Sequence, residues 1–189
     1  MYMAFSFLTR LLLPSSKNNV IERVVDKIKK IKFPNEWCGS VIWDVQEKVG
    51  KILANVDSED DIIDKLPKRI RINFRLAEFQ EAIYCDGFFS VFYNCGYREI
   101  MRFRATLEEI GECELLSCFD KGLQLFKSKF SWDDETTNFV CRIDESPYDY
   151  FGMGISDQFD EIEKEITAIF EKDECVEKLS AIWNSEEED

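Results

Sequence analysis

From Val20 onward the apolar residues of "VIERVVDKIKKI" return at three- and four-residue steps: Val20, Ile21, Val24, Val25, Ile28 and Ile31. That period puts them on one face of an amphipathic helix, with Asn18 and Asn19 placed to cap its start and Pro34 to end the segment. A second stripe, Trp37, Val41, Val45, Val49, Ile52 and Leu53, predicts a helix from about Asn35 to Val56. Ser58 and Asp61 make a capping-box-like start ahead of Ile62, Ile63 and Leu66, and Pro67 either stops that turn or opens the next helix.

"KRIRINFRLAEFQEAIYC" begins with Ile70, Ile72 and Phe74 alternating as in a strand, but Phe74, Ala77, Ile83 and Tyr84 suit a helix. It reads as helical with a frayed start, closed by a turn at Asp86-Gly87, where glycine can take the left-handed conformation. In the following "GFFSVFYN", Phe88, Val91 and Phe92 share one side of a short helix while Phe89 and Tyr93 share the other. A helix apolar nearly all round belongs at the centre of a fold, so these aromatics are expected in the core and not around a ligand. Asn94 is placed to bond backbone at the break that follows.

Downstream, Ile100, Phe103, Leu107 and Ile110 face inward on a helix that ends at Gly111. The next helix carries Leu115, Leu116, Phe119, Leu123, Phe126 and Phe130, and so short a connection makes the two antiparallel neighbours. Residues 131–156 carry no clean period. After them Phe159, Ile162, Ile166, Ile169 and Phe170 fall in one arc, with Asp157, Asp160, Glu161 and Glu165 on the far side. A last helix holds Val176, Leu179, Ile182 and Trp183 before the acidic "SEEED". The whole predicts an all-α array of roughly seven to nine helices in one structural domain, divided into an N-terminal helical region (1–69) and a body (70–189).

Composition supports helices: with eight Gly and four Pro in 189 residues, there are too few turn formers for an all-β chain. Charge adds a polarity. Residues 1–75 hold 14 Lys+Arg against 10 Asp+Glu, or +4, and residues 76–189 hold 10 against 28, or −18. Such a field repels nucleic acid and acidic membranes and attracts basic proteins, though it also serves solubility alone. Seven unpatterned cysteines are expected as reduced thiols in the core, which implies a cytoplasmic protein. "MYMAFSFLTRLLLPSSK" lacks a basic start and a cleavage site and is too short to span a bilayer, so it is expected as a helix docked on the body or a partner.

Histidine is absent, which removes the commonest general base and metal ligand. Cys113 and Cys118 have no second pair to complete a zinc tetrahedron, and no phosphate-binding or nucleophile-elbow motif is present. No catalytic, metal or cofactor site is therefore expected.

"DGFFSVFYN", with "ATLEEIG", "LLSCFDKGLQLF" and "SDQFDEIEKEI", resembles a small helical family of domains of unknown function that contains a bacterial DNA-mimic protein. The family pattern is Glu-Val-Asn-Asn-Gly-Gly-Phe, then Gln-Phe-Phe and a closing Asn. Gly87, Phe88, Phe92 and Asn94 match it, as do Ile110 and Gly111 at the later helix end and Asp157 with Phe159. Tyr84, Cys85, Asp86 and Ser90 depart from it, and the family's Glu falls at Ala82, next to Glu81. The resemblance covers about residues 70 to 184. It implies an acidic dimer that occupies the DNA-binding surface of a transcription regulator, without binding nucleic acid itself.

The physical requirement is a row of carboxylates at phosphate-like spacing, and Asp157, Glu161 and Glu165 rise about 6 Å per step on a helix. Asp160 lies beside them, with Lys164 four residues on. The partner expected is a basic protein, either a DNA-binding regulator or a toxin nuclease held by an immunity protein. The alternative class is an enzyme using carboxylates or a Cys thiolate in a cleft formed partly by residues 131–156.

Overall fold

The computed structural model describes residues 13–54, 56, 59–132, 140–142 and 155–185. Among these, nine helices run in order: α1 (Leu13–Lys29), α2 (Gly39–Leu53), α3 (Glu59–Ile63), α4 (Lys68–Asp86), α5 (Phe88–Asn94), α6 (Tyr97–Ile110), α7 (Cys113–Lys127), α8 (Ile155–Phe170) and α9 (Asp173–Asn184). Between α7 and α8 lie β1 (Phe130–Trp132) and β2 (Val140–Arg142), an antiparallel ribbon with Phe130 opposite Arg142 and Trp132 opposite Val140. Among the described residues the fold is all-α with one small ribbon, which the sequence pattern did not announce. The rest of the stretch 131–156, and the apolar N-terminus through residue 12, lie outside the described residues.

Helix α4 organises the molecule. Ile70 and Phe74 enter an aliphatic core with α1, α2, α3 and Trp183, whereas Ile72, Leu76 and Phe79 enter an aromatic core with α5, α6, α7 and α8. On a helix, residues two apart point about 200° away from each other. The strand-like alternation of Ile70, Ile72 and Phe74 is thus the mark of a helix wedged between two cores. Its start is not frayed: Pro67 precedes it, and the Ile70 and Arg71 amides both donate to the Pro67 carbonyl.

The aromatic core is centred where the sequence placed it. Phe88, Val91 and Phe92 are fully buried, Phe89 is half-buried and Tyr93 is exposed. The Phe88 ring meets Phe92 edge-on at 5.0 Å between centroids, and Phe126 stacks on Phe130 at 4.7 Å. Helix α5 can enter because Gly122 on α7 has no side chain: a Cβ there would stand 2.4 Å from Cε1 of Phe88. Helices α6 and α7 are antiparallel about Gly111 (φ 74, ψ 20), with Arg104 and Asp120 paired across them.

Several local expectations are corrected. Helix α1 begins seven residues early, so Asn18 and Asn19 lie inside it as exposed residues. Pro14 permits this, because a first-turn proline has no intrahelical N–H bond to lose. Helix α2 is shorter than 35–56, since Trp37 leaves the helical path and donates its indole N–H to Asn73 Oδ1 at 3.0 Å. Gly87 does have positive φ (82), but its ψ of 160 lies outside the left-handed helical region. Of the six cysteines whose side chains are described, all unbridged, Cys118 and Cys175 are buried while Cys38, Cys85 and Cys113 are exposed, so only part of the set packs as core. No described helix is long and apolar enough to cross a membrane.

Candidate protein-binding face

Helix α8 buries Phe159, Ile166 and Ile169 and half-buries Ile162 and Phe170, packing against α7 and α5. Fixing that inner arc fixes the outer one. Asp157, Asp160 and Glu161 are exposed there, as is Lys164, and none of the four forms an ion pair among the described residues. Asp157 and Glu161 are one turn apart, about 6 Å along the axis.

Glu165 is exposed too but is turned toward α7. Its Oε2 accepts from Cys118 Sγ at 3.4 Å and from Lys121 Nζ at 3.2 Å, bonds that hold its carboxyl below the usual range. The structure therefore brings Asp157, Asp160 and Glu161 together as free carboxylates and gives Glu165 an internal partner. Glu163, which the sequence did not single out, points to the interior side, where its Oε2 accepts the Phe88 backbone N–H at 2.8 Å.

A groove of about 470 Å³ runs between α7 and α8, lined by Cys113, Ser117, Cys118, Ala168 and Ile169. Two ion pairs border it, Lys121 with Glu165 and Lys172 with Glu114. Its chemistry is quiet. Burial, then the bond to Glu165, pushes the Cys118 thiol up, away from the thiolate. Burial likewise pushes Cys95 and Cys175 up to about 11. A single described thiol is shifted the other way: the side-chain bond to Ser40 lowers Cys38, which sits exposed ahead of α2 and far from the groove in sequence. No three described acidic or thiol groups converge to hold a metal ion.

The motif residues lie inside the scaffold or at its turns. Phe88, Phe92 and Ile110 are buried, Gly87 and Gly111 make the positive-φ breaks, and Asn94 is exposed at the end of α5.

Sequence reading missed one cluster entirely. Arg75, 5% exposed, bonds Asp60 at 2.8 Å, Glu78 at 2.9 Å and Glu99 at 3.0 Å, and Arg102 bonds Asp60 at 2.6 Å and Glu99 at 3.2 Å. A possible signal was an arginine inside the apolar run of α4, where a buried cation needs partners.

No curated protein and no solved structure matches the chain. The family model of DMP19-like proteins matches residues 64–185, which spans α4 to α9 and includes both the aromatic core and the α8 face. With nearly two thirds of its length so matched, the chain belongs to the DMP19-like protein family.

Proposed function

We propose that the chain is a non-catalytic acidic binding protein that takes the place of DNA on the nucleic-acid-binding surface of a basic protein such as a transcription regulator. Family membership supports the class, and the observation that carries the reading is the outward, unpaired set Asp157, Asp160 and Glu161 on a helix anchored by Phe159 and Ile166. The −18 balance of residues 76–189 gives the surrounding field the same sign. A rigid array of that kind attracts a cationic groove and repels nucleic acid, and it needs no cofactor. In this reading residues 70–189 carry the DNA-mimic-like domain, and residues 1–69 are a helical region packed on it.

The test is competition. The basic DNA-binding protein that associates with this chain at low salt is titrated with labelled DNA in the presence of wild-type protein or of the triple variant D157N/D160N/E161Q. Wild type should displace DNA and lose that ability steeply as salt rises, while the variant should displace far less. A complex that persists unchanged in strong salt, or equal displacement by the variant, would overturn the proposal.

A further inference from the structure

The Arg75 cluster has a charge imbalance built into its connectivity. Asp60 bridges the two guanidiniums through its two oxygens, Oδ1 to Arg75 and Oδ2 to Arg102. Glu99 does the same, with Oε1 to Arg75 and Oε2 to Arg102. Arg75, Asp60, Arg102 and Glu99 thus close a ring of two cations and two anions that is neutral as it stands. Glu78 is a third carboxylate, attached to Arg75 alone and sharing Nη1 with Glu99. The ring joins α3 to α4 and α6, and α3 lies just before the family-matched region begins at residue 64.

We infer that Glu78 is a proton-binding site that sets how firmly α3 is clamped to α4 and α6: with a proton on Glu78 the cluster is charge-balanced, and without it a surplus negative charge in this half-buried cluster loosens α3. The groups gathered around Glu78 are Arg75 on its own helix, Glu59 on α3, Glu99 on α6 and the Cys95 thiol between α5 and α6, with Asp60 and Arg102 joined to them through Arg75 and Glu99. Four of these are acids or a thiol, and the two arginines are already matched by Asp60 and Glu99. Burial pushes the Glu78 carboxyl up to about 7, with Glu99 and Glu59 adding to the rise and Arg75 opposing it. Helix α3 responds first because it is only a turn and a half long; Ile62 and Ile63 seat it in the aliphatic core beside α1, and the Asp60 bridge joins it to α4 and α6. Such short elements open most readily.

The sign follows from proton binding. Unfolded, Glu78 releases its proton near the ordinary 4.5; folded, it holds it to about 7. Over that window the folded state binds more protons, so this group's contribution favours the clamped form at the acid end and is lost as pH rises through about 7.

Amide hydrogen exchange of the full chain tests this at about pH 6 and about pH 8, with each rate corrected for intrinsic exchange at that pH. Wild-type α3 amides should lose protection by about tenfold between the two, while Glu78→Gln should show no such step. Carboxyl NMR of the wild type, which needs no variant, should place the Glu78 midpoint in the neutral range. A midpoint in the ordinary glutamate range, a flat wild-type profile, or the same step in Glu78→Gln would each overturn the inference.

Discussion

Glu163 on α8 accepts the backbone N–H of Phe88 at 2.8 Å, across 75 residues of chain, and so caps α5 from a different helix. The cap lies directly behind Gly87, whose positive φ with extended ψ is a region that glycine alone adopts readily. Replacing Glu163 by Ala leaves that amide without its partner and is expected to cost about 1–2 kcal/mol. Gly87→Ala is expected to cost about 1–3 kcal/mol through backbone strain. Urea unfolding followed by circular dichroism measures both; an unchanged midpoint for either would show that the α5 entry is not held this way.

Gly122 sets two effects against each other. Alanine in mid-helix gains about 1 kcal/mol over glycine. A methyl 2.4 Å from Cε1 and 2.9 Å from Cζ of Phe88, however, needs the ring to move, and that ring is packed against Phe92, Phe119 and Phe159. Overpacking of a fixed core costs about 1–3 kcal/mol. Gly122→Ala is therefore expected to lower the melting temperature, and a rise would mean that α5 and α7 can separate freely.

Arg75→Ala should be among the most damaging single changes. It leaves Asp60, Glu78 and Glu99 with Arg102 as the remaining cation, and because these carboxylates are partly exposed the loss is expected below the about 3–5 kcal/mol of a fully buried pair. Arg75→Lys should recover part of it, because an ammonium supplies the charge without the planar fork that reaches three carboxylates. Denaturant midpoints of the two variants give the order, and equal loss from both would assign the cluster's value to geometry alone.

Acid stability should depend on Glu112. It is buried, its side chain accepts from the Glu114 amide at the start of α7, and the hydrogen bond from Lys178 holds its carboxyl below the ordinary 4.5. A lowered folded value means stability present above about 4.5 and lost as pH falls through the folded value, opposite in sign to Glu78. Glu112→Gln should be less stable at neutral pH and should lose less than wild type on acidification. Melting curves across the acid range decide it; parallel losses in both proteins would count against the role.

Thiol reactivity should divide along burial and charge. Under brief alkylation of the native protein, Cys38, Cys85 and Cys113 are expected to label, Cys38 fastest because hydrogen bonding to Ser40 favours its thiolate. Cys118 and Cys175 should label only on unfolding. Mass spectrometry of the labelled peptides reads this directly, and early modification of Cys175 would contradict the packing of α9.

What the sequence by itself determined was which side of α6 and of α8 faces in. Ile100, Phe103, Leu107 and Ile110, and Phe159, Ile166 and Ile169, are buried as their spacing required, since burying apolar area outweighs other demands on a helix's rotation. The burial of Phe88 and Phe92 and the break at Gly111 were legible for the same reason, bulk and backbone freedom being local properties, whereas Tyr93, placed in the core by the same pattern, is exposed. Tertiary structure alone decided that α4 serves two cores, that Glu165 turns to Lys121 and Cys118 while Asp157, Asp160 and Glu161 stay outward, that Glu163 turns to the Phe88 amide and that Arg75 is buried. A carboxylate or guanidinium reads the same in a sequence whether solvated or enclosed. Its state is fixed by partners 15 to 75 residues away that only packing brings within hydrogen-bond reach.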